Sequence, residues 1–272
     1  MINLCPVNLP RIRALSSKTR FRTVALAAGI ALCAGNVFAV TLDLTAAGSD
    51  GSINGALFTT NDAQSTGTGV INPFLRLQAN GNETGLNSDS SVANLLEDTK
   101  AGSWTHDIML GDIGTTQINM VNYYIFLLDI NQTGSNPELS LDTFDLYTRA
   151  TSITDGTADS LADVQAGGTL RYSMDSGADS NVLLNYLLNP GSGGGDLWVF
   201  VPVSFFAGAS LTDYLYLYTQ FGFTEGYESN DGFEEWATIS SSAPPVPDGG
   251  LTVMLVGLGL VGVGAARRFS LC

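Results

Sequence analysis

Short apolar runs, each broken after a few residues by Gly, Ser, Thr, Asn or Asp, fill residues 40–243. None keeps the spacing of three to four residues that marks the buried face of a helix. Such a chain is confined to strands and turns. The runs place strands over residues 41–44, 74–78, 105–109, 120–129, 139–148, 169–174, 183–187, 197–206 and 214–223. Residues 92–96 read as a short helix or strand. Nine short strands separated by turn signals predict an all-β domain, an antiparallel β-sandwich or jelly roll. Pro202 lacks the N–H that a ladder needs, so its strand is expected at an edge or with a bulge. Residues 80–91 read as a polar loop, and Gly191-Ser192-Gly193-Gly194-Gly195 as a hairpin loop. Tyr214, Tyr216 and Tyr218 alternate with Leu215 and Leu217, so one strand face is tyrosine and the other leucine. We read this strand as central, with both faces covered. With its tyrosines in water it would instead be a platform for sugar rings.

The cysteines sharpen the constraint. Cys5, Cys33 and Cys272 all lie outside residues 40–243, so that region has no disulfide and no cysteine nucleophile. An apolar core must hold it together.

The two flanks read as targeting segments. Arg11, Arg13, Lys18, Arg20 and Arg22 precede an apolar run from Val24 to Ala34, without an acid among them. The run is shorter than the about 20 residues that span a bilayer. Val37-Phe38-Ala39 then offers small or moderate residues to a signal peptidase. Residues 1–39 are therefore expected to be a signal peptide, cut between Ala39 and Val40. Residues 40–239 form the extracytoplasmic domain, and residues 240–250 a Ser- and Pro-rich linker carrying a short motif. Residues 251–266 are uncharged and rise about 24 Å as a helix. Arg267 and Arg268 stop it, so residues 251–268 read as a C-terminal transmembrane helix with its basic end in the cytoplasm. Gly257-Leu258-Gly259-Leu260-Val261-Gly262 matches a dinucleotide fingerprint by letter alone. It has no βαβ unit around it, and reads as a close-packing helix face.

The motif Val246-Pro247-Asp248-Gly249-Gly250, the Gly-rich helix and the terminal arginines resemble the PEP-CTERM class of bacterial sorting signals, in a Val-Pro-Asp variant. The segments around Trp104, Tyr124–Asn131, Leu139–Asp142, Tyr214–Tyr218 and Asn230–Trp236 resemble the extracellular region of uncharacterised members of that group. The resemblance implies an exosortase-like processing enzyme as partner. It also implies a Gram-negative-type envelope, an inner-membrane intermediate, and delivery to the cell surface or an exopolysaccharide-containing matrix. It carries over no catalytic residue.

Charge and residue chemistry narrow the function. Residues 40–243 hold 25 of the 26 acids against four bases (Arg76, Lys100, Arg149 and Arg171), a formal charge of −21. Such a surface repels nucleic acid. Triad chemistry needs a histidine, and the one histidine, His106, precedes Asp107 in an expected strand, where neighbours face opposite ways. A zinc site lacks ligands. Carboxylate pairs suffice for glycoside cleavage. The cluster Glu234-Glu235 beside Trp236 is the most tempting, but reads as a solvated turn. Acid-rich loops at residues 155–163 and 175–181, with Asp129 and Asn131, are candidate calcium ligands. No catalytic residue and no firm cofactor is assigned. The expected role is structural or adhesive. The alternatives are a calcium-assisted carbohydrate-binding module and a carboxylate-dependent glycan hydrolase.

Overall fold

The computed structural model describes residues 38–60, 73–88, 98–100, 103–153, 159–191, 194–230 and 232–239. In chain order the strands are β1 (Thr41–Asp43), β2 (Asp50–Ile53), β3 (Ala56–Thr59), β4 (Pro73–Leu77), β5 (Asn80–Gly81), β6 (Glu83–Leu86), β7 (Ile108–Met109), β8 (Thr115–Ile118), β9 (Val121–Asp129), β10 (Glu138–Arg149), β11 (Thr169–Ser173), β12 (Asn181–Asn185), β13 (Leu197–Pro202), β14 (Tyr214–Phe221), β15 (Ser229–Asn230) and β16 (Glu234–Thr238). Among the described residues one α-helix, α1 (Leu161–Gly167), follows β10. The chain is mostly β, as its sequence predicts, and its sheets are antiparallel but for β1, which runs parallel to β12.

Two seven-stranded sheets enclose one apolar core, an arrangement consistent with an all-β sandwich. The first runs β1-β12-β10-β14-β6, with β11 also on β10 and β7 also on β14. The second runs β2-β3-β13-β9-β16-β4, with β8 also on β9. The short pair β15-β5 stands apart. Period-two alternation decides which residues meet in the middle. Leu139, Leu141, Phe144 and Leu146 of β10 and Leu215, Leu217 and Phe221 of β14 face Phe126 and Leu128 of β9, Leu197, Val199 and Val201 of β13, and Trp236 of β16. Phe144 is the centre. Its ring lies 4.8 Å from Trp236, 5.7 Å from Phe126, 5.9 Å from Tyr172 and 6.5 Å from Phe58.

The tyrosine strand is covered on both faces. Tyr216 is fully buried, and Tyr214 and Tyr218 are half-buried against Leu86, Tyr147, Ile153 and Val164 of α1. It is a central strand, not an open platform.

Several sequence expectations are corrected. Residues 80–91 do not form one loop: β5 and β6 lie there, and β6 pairs with β14. The turn expected at Glu234-Glu235-Trp236 is β16, a strand held between β9 and β4. β13 is central as well. Pro202 is tolerated because it is the last residue of β13, opposite Tyr123 of β9, beyond the point where the pairing with β3 ends at Phe200 opposite Leu57. No ladder bond is lost on that side. The segment from Gly191 to Gly195 is no hairpin, because β12 and β13 belong to different sheets. The strands expected over 183–187 and 197–206 end in 3-10 turns at Tyr186–Leu188 and Val203–Phe206. Residues 105–109 shorten to β7. Residues 92–96 lie outside the described residues. Among the described residues no helix is long and apolar enough to cross a membrane. The expected membrane helix, residues 251–268, lies outside them.

Phe144→Ala removes the ring on which both sheets converge. We expect it to lower the unfolding free energy by about 3–5 kcal/mol, read by urea denaturation. A loss below about 1 kcal/mol would mean that the core does not converge on this ring.

Candidate functional site

One end of the second sheet gathers buried acids on both of its faces. β9 ends there, β16 and β13 begin there, and β4 runs out there. Glu234 and Glu235 open β16, and alternation sends them to opposite faces. Glu234 shares the inner face with Trp236 and is fully buried. Glu235 turns outward beside Arg76 of β4, with 3.9 Å between Oε1 and Nη1. The Arg76 guanidinium in turn lies 4.6 Å from the centre of the Phe233 ring and 5.5 Å from that of Trp104.

On the inner face Glu234 meets Glu83 of β6. Gln132 Nε2 donates to Glu234 Oε1 at 2.6 Å, and the Asn131 backbone N–H donates to the same carboxyl. The Ala79 N–H donates to Glu83 Oε2 at 2.8 Å. The Ser229 hydroxyl, which donates to the Ala79 carbonyl at 3.1 Å, lies beside it. Burial pushes both carboxyls above the usual range, Glu234 well above it; Glu83 raises Glu234 further, whereas the hydrogen bond from Glu234 lowers Glu83. Backbone contact is tight here. A Cβ on Gly232 would fall 1.4 Å from the Asn131 carbonyl oxygen, so only glycine lets the two chains approach.

On the outer face Asp129, the last residue of β9, stands opposite Glu235. One step beyond the Leu197–Leu128 pair, Asp196 comes alongside Asp129. Asp196 Oδ2 accepts the Ile130 N–H at 2.8 Å. Its carboxyl is pushed up to about 9, first by burial and then by Asp129, against the lowering effect of the Ile130 bond. A row of Asp196, Asp129, Glu235 and Arg76 therefore crosses four neighbouring strands.

The other sequence candidates fall elsewhere. His106 is fixed through its backbone: its N–H donates to the Phe74 carbonyl at 3.0 Å, and its carbonyl accepts from Asn87 Nδ2 at 3.4 Å. Asp107 accepts from Ser152 Oγ at 2.5 Å. Asp163 closes the N-terminus of α1, accepting from the Ser160 N–H and hydroxyl at 3.0 and 2.6 Å. Asp155 lies outside the described residues. Asp175 accepts from the Ser180 N–H at 2.9 Å and the Thr143 hydroxyl at 3.2 Å. Asp129 and Asn131 serve two different acid pairs. Among the described residues no three or more His, Cys, Asp or Glu side chains are grouped to hold a metal ion. Ala39 is exposed and Val40 half-buried. Val246, Pro247, Asp248, Gly249, Gly250, Arg267 and Arg268 lie outside the described residues.

Glu83, Gln132 and Asp196 were not singled out by sequence. The sequence carries a signal for Glu234 and for Asp196, but none for Glu83. Glu234 sits two residues before Trp236, on the same strand face. Asp196 directly precedes the apolar run Leu-Trp-Val-Phe-Val, where an acid must enter a strand. No family model, no curated protein and no solved structure matches the chain.

Asp196 has a consequence for pH. Its folded pKa is raised, so the stability linked to its proton is fully present below the unfolded value near 4 and is lost as pH rises through about 9. Asp196→Asn keeps an acceptor for Ile130 and removes the titration. Between pH 5 and 8 the variant should gain on the wild type by about 1.4 kcal/mol per pH unit in urea denaturation. Parallel curves would show Asp196 to be ionised in the folded protein.

Proposed function

We propose that the chain is an exported protein of the cell surface or extracellular matrix. Its β-sandwich or jelly-roll domain is delivered by a signal peptide and sorted through a C-terminal transmembrane helix, residues 251–268, by an exosortase-like enzyme. Its role there is structural or adhesive. The observation that carries this reading is how the two ends of the described domain are held. Among the described residues Phe38 and Ala39 are exposed, and Val40 is the first that the domain engages. Its N–H donates to Ser180 Oγ at 3.2 Å, and its carbonyl accepts from the Asn181 N–H at 3.0 Å. A peptidase cutting between Ala39 and Val40 would trim the chain to that residue. At the other side β16 closes at Thr238, immediately before the Ser- and Pro-rich linker that leads to the sorting motif.

The test is made in the native host. Mass spectrometry of the envelope protein should find Val40 as its N-terminus, with residues 251–272 removed. Pro247→Ala or Asp248→Ala should leave export intact and let a membrane-bound form accumulate that still carries the tail. Wild-type protein that always retains residues 251–272 would reduce the tail to a plain anchor.

A second reading, a carbohydrate-binding module, is favoured by one surface. On the outer face of the second sheet Trp198 and Phe200 stack with ring centres 6.3 Å apart and planes 25° apart, and Tyr123 meets Phe200 edge-on. Trp198 and Phe200 are half-buried, with Tyr123 buried beside them, and such rings suit the apolar faces of sugars. A glycan-array signal lost in Trp198→Ala would move the function to this class; a blank array, with and without calcium, would remove it. The hydrolase reading draws no support from the Glu83–Glu234 and Asp129–Asp196 pairs, because all four residues are almost wholly shut off from solvent.

A further inference from the structure

At one end the inter-sheet core closes on two acids. Glu83 comes from β6 of the first sheet and Glu234 from β16 of the second, both with 0% exposure. Their outer oxygens are held by fixed donors: the Ala79 N–H on Glu83, and the Gln132 amide and Asn131 N–H on Glu234. The two remaining oxygens, Glu83 Oε1 and Glu234 Oε2, receive no N–H or O–H from any other group. They belong to carboxyls that stand against each other.

The surroundings supply no positive charge. The other ionisable group acting on Glu83 is the Asp98 carboxyl, which repels it. Among the described residues no cationic side chain acts on either acid. Arg76, the base of the adjoining strand, is on the outer face against Glu235. Asp129 and Asp196 also lie on that outer face. Two ionised carboxylates in a dry seam, with no cation between them, repel strongly. A single proton removes one charge and turns the repulsion into a short, charge-assisted hydrogen bond. The remaining negative charge is then stabilised by the donors already in place.

We propose that Glu83 and Glu234 share one proton and act as an alkaline-sensitive latch between the two sheets. In acid and neutral solution the proton ties β6 to β16. At higher pH hydroxide takes it as water, leaving two buried like charges. The seam relieves them by parting, which admits water beneath β5 and β15. Those strands are joined to the latch through Ala79 and Ser229. The sign follows from burial, which raises both folded values: stability is present below about 4.3, the ordinary glutamate value, and is lost as pH rises through the folded value.

The test uses the full-length protein in detergent, carrying Asp196→Asn so that this carboxyl does not contribute. Melting temperature is followed from pH 5 to pH 10 for this parent and for Glu83→Gln and Glu234→Gln added to it. The parent should fall by about 3–5 °C per pH unit from pH 5 up to the pH at which the pair ionises. Each glutamine variant, in which an amide N–H replaces the shared proton, should be flat there. Infrared spectra give a second readout that does not need the variants to fold. The parent should show the C=O stretch of a protonated carboxyl above pH 7, and lose it at the pH where the fall in its melting temperature levels off. Superimposed melting profiles in parent and variants, or no such band in the parent, would overturn the proposal. So would calcium chloride raising the melting temperature of the parent but not of the variants, since a cation would then occupy the place of the proton.

Discussion

The contact between Phe144 and Trp236 is the one on which the fold depends. Phe144 comes from the first sheet and Trp236 from the second, and Phe58, Phe126, Tyr172 and Phe221 complete the cluster around them. Aromatic rings that meet edge-on gain about 0.5–1.5 kcal/mol per pair beyond the burial of their area. With no cysteine in residues 40–243, no covalent link shares the load. The cluster even tolerates a defect. Trp236 Nε1 is buried without a hydrogen-bond acceptor, at a cost of about 1–3 kcal/mol. A defect of that size persists because the ring around the nitrogen is worth more than the missing bond.

Once Trp236 is fixed, the acids fall into place. Alternation along β16 carries Glu234 into the same interior and leaves Glu235 outside. A chain this rich in acids and this poor in bases cannot neutralise carboxylates by ion pairing, and among the described residues one salt bridge, Arg76–Glu235, is formed. Backbone N–H groups and hydroxyls do the work instead, at Asp142, Asp163, Asp175 and Asp196. Where two acids meet in the interior, burial pushes them toward the protonated form. The formal charge read from the sequence therefore overstates the charge the folded domain carries.

How much was legible follows from the same physics. Strands β9, β10, β11 and β14 are dense in apolar and aromatic residues and stand out in the sequence. The burial of Tyr216 could be read too, because tyrosine and leucine alternate on a strand long enough to lie centrally. β16 is not legible in the sequence because two adjacent glutamates look solvated, and only the partners across the interior make one of them a core residue. β2, β3, β6 and β8 do not stand out in the sequence because they are only four residues each and, β3 apart, carry Gly, Thr or Ser at half or so of their positions. Their strand character comes from neighbours distant in sequence. The Glu83–Glu234 pair could not be read for the same reason: 151 positions separate the two residues, and only sheet packing joins them. Pro202 was read correctly as a residue that cannot donate, but the ladder could end beside it as well as run along an edge.

The parallel pairing of β1 with β12 sets an order of assembly. Thr41 is matched to Asn181, so the strand made first waits about 140 residues for its partner. Until then β1 has nothing to zip against, and a hairpin cannot bring the two together, because parallel strands need a long crossover. The early middle of the chain, β9 and β10, can condense on local contacts while the leading strand stays open. β1 is thus the clasp of the domain rather than its seed. While it remains undone, the outer edge of β12 exposes unpaired backbone groups that another chain could take up.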